Sequence, residues 1–176
     1  MRQVFTYTVS PQTEITVQNL LLSRGYSKRL IIDLKALEDG LTVEGHRVCT
    51  PYVLQPGQTL TVTLPPEKNS PHIDPVCLPF PVVYEDEHLM ILNKPSGMPI
   101  HPSQGNHDNS LANGAAWYFR QKNLPFTFRV VNRLDRDTTG LLILAKHSLS
   151  ACLLSDMMKK REIRRTYLAA VQGKPE

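Results

Sequence analysis

The sequence predicts an α+β fold in two parts: a small α/β-hairpin module, then a mixed or antiparallel sheet with peripheral helices. Two observations predict it. Apolar residues recur at helical spacing between positions 15 and 37 and then alternate in short runs up to position 64, a pattern typical of two helices followed by strands. Near position 141 an uninterrupted apolar run follows a charged turn, which indicates a buried strand of a second sheet.

A proline-rich stretch separates the two parts. Its prolines remove backbone donors and fix φ, so neither a helix nor a strand is expected to run through it. They are Pro65, Pro66, Pro71, Pro75, Pro79 and Pro81. We therefore expect a module at residues 1–64, a linker at residues 65–81 and a second domain at residues 82–176.

The first module is predicted to contain two helices joined by a glycine turn. The first helix covers the apolar residues near positions 15–22 and ends at Gly25, which can take the left-handed conformation. Ser27 is a suitable N-cap for the second helix, and Gly40 is expected to end it.

Strands are predicted at several places. The run at residues 41–43 and the alternating residues 60–64, with a turn at Gly45 after the first run, close the first module. Residues 89–92 are predicted to form a buried strand that leads into a rigid loop rich in proline and glycine. Residues 141–145 are apolar without interruption, which predicts a strand covered on both faces.

Polar side chains stand next to the two later strands. Lys94 and His101 would face the same region only if the loop between them folds back, and a lone lysine or histidine in such a place is usually structural or solvated. A charged loop tethered to a rigid strand is the usual position of catalytic groups. That loop carries Arg133, Asp135, Arg136 and Asp137.

Composition narrows the classes of function. Twenty Lys and Arg residues against sixteen Asp and Glu residues give a formal charge of +4 and a pI near 9.0, which favours a polyanionic partner. The three cysteines are far apart and form no Cys-x-x-Cys pair, so neither a disulfide framework nor a zinc site is suggested and a cytosolic location fits best. We also expect no signal peptide and no membrane span.

The first module resembles an S4-type RNA-binding module. The similarity lies in S-R-G-Y-S-K-R-L at residues 23–30, V-E-G-H-R-V at residues 43–48 and L-Q-P-G-Q-T-L-T-V at residues 54–62. The resemblance implies phosphate contacts from Lys28 and Arg29, which would position the protein on RNA without reading its sequence. From the charges alone, a solvated first turn of the helix stays open as the alternative.

The second part is similar to the signature of RluA-type pseudouridine synthases. The segments are Y-E-D-E-H-L at residues 84–89, N-K-P-S-G-M-P-I-H-P at residues 93–102 and R-L-D-R-D-T-T-G-L-L-I-L-A-K at residues 133–146, followed by R-E-I-R-R-T-Y-L-A-A-V-Q-G at residues 161–173. The resemblance implies that Asp135 is the catalytic aspartate and that Arg133 helps to hold the opened RNA. It also implies that the ring of Tyr167 packs on the target base.

The reaction implied by this resemblance is the isomerisation of uridine to pseudouridine in ribosomal or transfer RNA. The bond between ribose C1′ and uracil N1 breaks, the ring turns, and it rejoins the sugar through C5. No redox step occurs, so we expect no cofactor and no metal, with RNA as the partner of a monomer. The carboxylate of Asp135 acts either as the nucleophile at C1′ or as the acceptor of the C2′ proton, and the sequence leaves both routes open.

A basic cluster late in the chain could contact phosphates while the uridine is turned out of its stack. The alternative is that the cluster is only the polar face of a helix that contains the apolar residues 153–158. The cluster consists of Lys159, Lys160, Arg161, Arg164 and Arg165.

The sequence departs from the family pattern in three places. Asn132 stands where most members have His, and Thr139 stands where most have Ser; both keep a hydrogen-bonding side chain, so we expect adjusted rather than lost geometry. At residues 174–176 the sequence stops before the segment in which the family carries an arginine that pairs with the aspartate. We therefore expect a partial chain, either of an isomerase or of a catalytically incomplete RNA-binding protein.

Overall fold

The computed structural model describes residues 2–11 and 14–173 of the chain. Within them, helices pack against antiparallel sheets, which confirms the predicted combination of helices and antiparallel strands. None of the helices in these residues is long and apolar enough to cross a membrane. Residues 174–176, on which the expectation of a partial chain depends, lie outside the described residues.

The first part of the chain holds short strands around a pair of helices. Its elements are β1 (Val4–Thr8), β2 (Ile15–Thr16), α1 (Val17–Ser23), α2 (Lys28–Ala36), β3 (Leu41–Val43), β4 (His46–Arg47), β5 (Val53–Leu54) and β6 (Thr59–Thr63). The main sheet has the order β1-β6-β3-β4, and β2 pairs with β5. Strand β1 was not among the predicted strands; its Phe5 and Tyr7 pack against the core, while Val4, Thr6 and Thr8 are exposed.

The turn between α1 and α2 forms as predicted. Gly25 has a φ of +83°, in the left-handed region that favours glycine. Its N–H donates to the carbonyl of Leu22 at 3.1 Å, and the N–H of Tyr26 donates to the carbonyl of Leu21 at 3.0 Å. This is the bonding pattern of a Schellman motif. Ser27 then caps α2 by accepting a backbone N–H three residues later, at 3.2 Å.

Helix α2 is shorter than predicted, because it ends at Ala36 and not at Gly40. Gly40 does not end the helix; it lets the chain pass close to the end of α2. A Cβ atom at this position would lie 2.1 Å from the carbonyl oxygen of Leu34, so only glycine allows the chain to pass the helix end this closely.

Residues 65–81 contain neither a helix nor a strand, as the prolines predict. They run along the second part of the chain and are bonded to it. The hydroxyl of Ser70 accepts the N–H of Phe128 at 2.8 Å, and Glu67 forms an ion pair with Arg129 at 2.7 Å. The proline-rich stretch is therefore fixed on the surface of the second part.

The second part contains a three-stranded antiparallel sheet of order β7-β8-β9 and two helices. Its elements are β7 (Val82–Glu85), β8 (Leu89–Lys94), α3 (Leu111–Gln121), β9 (Gly140–Ala145) and α4 (Ser148–Lys159). The strands predicted at residues 89–92 and 141–145 are confirmed. Helix α3 was not predicted; it begins with a buried capping box between Ser110 and Asn113.

The prediction that β9 is covered on both faces is wrong. Leu142 and Leu144 are fully buried in the core beneath Phe119 of α3. Leu141, in contrast, is 58% exposed, and Ile143 is half-buried. The strand therefore alternates between a core face and an outer face, as antiparallel strands commonly do.

Helix α4 joins the two parts. Leu149 is buried in the core of the first module, and Cys152 packs against that core. The side chain of Leu153 lies over the turn between α1 and α2, where a Cβ atom on Gly25 would come within 2.4 Å of its Cδ2. The first module is thus packed directly on the second part.

The helical alternative for the basic cluster is wrong for three of its members. Helix α4 ends at Lys159, and Arg161 has a φ of +59°, which no helix allows. Arg164 and Arg165 follow in a stretch with neither helix nor strand. These side chains therefore lie on a loop beyond the helix.

Candidate active site

The loop that carries Asp135 leaves the sheet after Asn132 and returns to it at Gly140. A tight turn forms within it, because the N–H of Thr138 donates to the main-chain carbonyl of Asp135 at 3.2 Å. The side chains of Arg133 and Asp135 are exposed. Both groups are therefore accessible to a large substrate.

A buried lysine fixes this loop from below. Lys94, at the end of β8, is fully buried, and its ammonium group donates to three main-chain carbonyls. The acceptors are Pro95 and Met98 at 2.9 Å and Arg136 at 2.7 Å. A buried charge is tolerated when hydrogen bonds satisfy it in this way. Lys94 thus joins the loop after β8 to the loop of Asp135.

Two opposing effects act on the pKa of Lys94. Burial lowers the pKa of its ammonium group, and the negative charges of Asp137 and Asp135 act in the opposite direction. Lys94 therefore lies close enough to both carboxylates to interact with them. The three hydrogen bonds of Lys94 fit the structural role that is usual for a lone lysine in such a place.

Two further bonds hold the same pair of loops together. The hydroxyl of Ser96 donates to the main-chain carbonyl of Asp137 at 3.0 Å, and the guanidinium of Arg136 donates to the carbonyl of Gly97 at 3.2 Å. Because these bonds bring residues about forty positions apart into contact, the loop after β8 does fold back.

His101 also faces this region. Its ring packs edge-on against Phe128 with centroids 5.0 Å apart. Burial lowers the pKa of His101, and the nearby charge of Arg133 lowers it further. No hydrogen bond joins Arg133 and His101 among the described residues.

Asn132 secures the point where the loop leaves the sheet. It is 8% exposed. Its Nδ2 donates to the carbonyl of Leu141 at 3.0 Å, and its Oδ1 accepts the N–H of Ile143 at 3.0 Å. The sequence analysis did not predict that Asn132 bonds to β9. The sequence marked this residue only as a polar side chain at a position where the family pattern has another residue.

A cleft of about 460 Å³ lies on the outer face of the sheet, beside the loop. Its floor includes Leu141 and Ile143, and its rim includes Arg165 and Tyr167. Leu134 also lines it, which brings the cleft next to Asp135 in the chain. The ring of Tyr167 is 59% exposed and free to receive a planar group.

The structure brings some of the sequence-predicted residues together and leaves others apart. Arg165 and Tyr167 share the cleft, whereas Arg133 and Asp135 stand on the neighbouring loop and do not line it. Lys28 and Arg29 are exposed in the first turn of α2, in the other part of the chain, where Arg29 pairs with Asp33 at 3.3 Å. Within residues 2–11 and 14–173, no group of three or more His, Cys, Asp or Glu side chains could hold a metal ion.

Comparison with known proteins gives a consistent result. The family model described as RNA pseudouridylate synthase matches residues 88–176, half of the chain. The uncharacterized RNA pseudouridine synthase YjbO of Bacillus subtilis is 34% identical over 160 residues, covering 91% of this chain and 56% of that protein. An uncharacterized RNA pseudouridine synthase of Mycoplasma pneumoniae, the MG209 homolog, is 34% identical over 177 residues, covering 97% of this chain and 54% of that protein.

A further relative is named for the ribosomal large subunit. The ribosomal large subunit pseudouridine synthase D of Xanthomonas campestris pv. campestris is 38% identical over 122 residues, covering 68% of this chain and 36% of that protein. The chain spans about half the length of the relatives that it matches over most of its own length. The family match covers β8, β9 and the loop of Asp135. The chain belongs to the RNA pseudouridine synthase family.

Proposed function

We propose that the protein isomerises uridine to pseudouridine in RNA and that Asp135 is its catalytic residue. The observation that carries this proposal is the R-L-D sequence of residues 133–135, which lies on an accessible loop within the region matched by the family model. A hydrogen bond from Lys94 to the carbonyl of Arg136 ties that loop to the end of β8, and the same ammonium group bonds two carbonyls of the loop after β8. A catalytic group on a fixed loop is pre-organised for its reaction.

The chemistry needs only one carboxylate close to the sugar. The carboxylate of Asp135 either attacks C1′, forming a bond to the sugar as the bond from C1′ to N1 breaks, or accepts the proton from C2′ as that bond breaks. In both routes the freed uracil turns and bonds to C1′ through C5; in the first route the bond from Asp135 to C1′ breaks as this bond forms, and in the second the proton returns to C2′. The proton lost from C5 is balanced by a proton gained at N1. The product is an isomer of the substrate, so the proposal requires no redox partner.

The remaining residues of the site have supporting roles in this proposal. Arg133, two residues before Asp135, holds the phosphate backbone of the opened RNA. Tyr167 receives the uracil ring on its exposed face, and Arg165 contacts a phosphate from the rim of the same cleft. Their common position beside the loop supports these assignments.

We further propose that residues 1–64 act as an S4-like RNA-binding module, joined by residues 65–81 to a catalytic domain that begins at residue 82. The support is the pair of helices around the Gly25 turn, with Lys28 and Arg29 exposed at the start of α2. These two side chains would contact phosphates and contribute affinity without sequence specificity.

Ribosomal RNA is the substrate that the comparisons favour, because several relatives are named as ribosomal large subunit synthases. Transfer RNA stays within the proposal. We propose a monomer that acts in the cytosol, and the three free cysteines are compatible with a reducing compartment. Since the chain spans 56% and 54% of two relatives, we propose that turnover requires the rest of the protein.

The proposal is tested by complementation in cells that lack the gene. Pseudouridines in total RNA are mapped after expression of the complete reading frame, of this 176-residue chain, or of the complete frame with Asp135→Asn. We expect the complete frame alone to restore a missing pseudouridine. Restoration by the Asp135→Asn frame would remove Asp135 from catalysis. If no frame restores a site while the purified protein binds RNA, the protein is a binding protein and not an isomerase.

A further inference from the structure

The segment that leads into the catalytic loop begins as a strand beside β9. The N–H of Val131 donates to the carbonyl of Ile143 at 2.8 Å, and the N–H of Ala145 donates to the carbonyl of Arg129 at 2.9 Å. Residues 130 and 144 form an antiparallel bridge between these bonds. Residues 129–131 therefore pair with β9 on the side opposite to β8.

The backbone leaves this ladder at Asn132, and the side chain continues it. In a regular antiparallel pairing, the N–H of Ile143 and the carbonyl of Leu141 would be bonded by backbone groups on either side of position 132. Here the Oδ1 of Asn132 accepts the first and its Nδ2 donates to the second, both at 3.0 Å. One amide side chain thus replaces one carbonyl and one N–H of a strand.

This replacement frees the backbone of residues 133–135 to turn away from the sheet. The edge of β9 stays bonded, so the turn does not leave polar groups of the strand unsatisfied. The two bonds also close the neck of the loop, three residues before Asp135, while Lys94 fixes its far side through Arg136. The position of Asp135 is therefore determined at both ends.

We propose that Asn132 is a positioning residue that sets the place of Asp135 relative to the substrate. This inference rests on the proposed function, because it assigns Asn132 a part in that reaction. Asn132 lies at the edge of the cleft, but it is only 8% exposed and both ends of its amide are bonded to β9. We therefore assign it an effect through the backbone and not a contact that reads the uridine. Substitution should consequently lower kcat and leave KM for RNA unchanged.

The test compares variants of the complete protein in steady-state assays on RNA that the wild type modifies. Asn132→Ala removes both bonds, and we expect kcat to fall about 10- to 100-fold, the effect of a displacement of about 1 Å of a catalytic group. Gln121→Ala is the control, because Gln121 is exposed at the end of α3 and its amide makes no hydrogen bond among the described residues. It should leave both kinetic constants unchanged.

Asn132→Asp gives a sharper readout. When protonated, the introduced carboxyl group has the shape of the amide, accepting from Ile143 and donating to Leu141; when ionised, it faces the carbonyl of Leu141 with no proton to donate. Burial beside a carbonyl oxygen raises the pKa of such a group. The ratio of variant to wild-type kcat should therefore rise several-fold as pH falls, and Asn132→Ala should show no such rise.

The outcomes separate the two proposals. If the wild type forms no pseudouridine in any RNA tested, the proposed function fails. If the wild type is active but Asn132→Ala keeps its kcat, or lowers kcat and raises KM together, the positioning role is overturned. If Asn132→Ala does not fold, Asn132→Asp decides at a temperature where it is folded: a ratio that does not change with pH overturns the inference.

Discussion

Lys94 donates a 2.7 Å hydrogen bond to the main-chain carbonyl of Arg136, 42 residues further along the chain. The same ammonium group bonds two carbonyls of its own loop, so one buried charge organises both loops of the candidate active site. Among the described residues no carboxylate forms a hydrogen bond with Lys94, so its ammonium group is hydrogen-bonded by main-chain carbonyls alone. This arrangement makes the geometry of the site dependent on a residue that does not reach the cleft.

Replacing Lys94 with Met should therefore destabilise the protein. The side chains are similar in length, but methionine leaves three carbonyls without their donor, and we expect the free energy of unfolding to fall by about 3 kcal/mol. Urea denaturation of the variant and of the wild type measures the difference. Lys68→Met, at an exposed position, is the control and should stay within about 0.5 kcal/mol of the wild type. Equal stability of the two variants would show that Lys94 is dispensable.

A second prediction concerns the pH dependence of stability through His147. This buried residue caps α4: its Nδ1 accepts the N–H of Ser150 at 3.1 Å, so its Nε2 carries the proton and donates to Nδ1 of His88 at 3.0 Å. The pKa of His147 is lowered to about 4, first by burial and then by its basic neighbours His88, Arg129 and Lys146, against the opposite effect of Asp86.

The sign follows from proton binding. Between the usual pKa of 6.5 and the folded value of about 4, the unfolded chain binds more protons at His147 than the folded protein does. The contribution to stability is complete above 6.5 and is lost as pH falls through about 4. His147→Asn keeps a capping side chain without titrating. Denaturation at several pH values should show the wild type losing stability relative to this variant on acidification; a constant difference would contradict the prediction.

Local signals predicted the fold best. Gly25 and Ser27 set the turn between α1 and α2 through bonds to near neighbours, so their residue types alone indicated it. The existence of β9 was equally predictable, from its uninterrupted apolar run. Its burial was not, because an apolar run of five residues does not reveal whether another layer covers Leu141. Whether a face of a strand is covered depends on contacts between segments that are distant in the sequence.

The missed features of the site share that cause. The bonding of Lys94 and of Asn132 depends on chain segments 42 and up to 11 residues away, which no periodicity encodes. Helix α3 was missed because Asn113 and Gly114 are poor helix formers in isolation. Both pack closely against the proline-rich stretch: Asn113 bonds it at the carbonyl of Asp74, and a Cβ on Gly114 would lie 3.1 Å from the carbonyl of Leu78.

Asp135→Asn should abolish pseudouridine formation by the complete protein while leaving RNA affinity nearly unchanged. The amide has almost the shape of the carboxylate but neither attacks C1′ nor accepts a proton effectively. Asp137→Asn is the matched control, since Asp137 belongs to the same turn and, among the described residues, its side chain makes no hydrogen bond while its main-chain carbonyl accepts one from Ser96. Turnover is measured by mapping pseudouridine and affinity by filter binding. Turnover by Asp135→Asn at the rate of the control would exclude the assigned role.

Replacing Lys28 and Arg29 together with Ala should weaken RNA binding and reduce its dependence on salt. Each lost phosphate contact removes about one unit from the slope of log affinity against log salt concentration, so we expect a change of roughly 1 to 2. The change is smaller if the ion pair of Arg29 with Asp33 persists in the complex. A titration series in increasing salt gives both slopes. Identical slopes would assign the two side chains to a solvated helix face.

Tyr167→Ala should weaken the interaction with the target uridine, whereas Tyr167→Phe should preserve it. The ring is 59% exposed at the rim of the cleft, so a base can stack on it without rearrangement of the core. Stacking of a base on an aromatic ring is worth roughly 1 to 3 kcal/mol, which corresponds to a loss of roughly 5- to 150-fold in kcat/KM for the alanine variant. Phenylalanine keeps the ring and removes only the hydroxyl, so it separates stacking from hydrogen bonding. Equal losses in both variants would mean that the hydroxyl, and not the ring, makes the contact that matters.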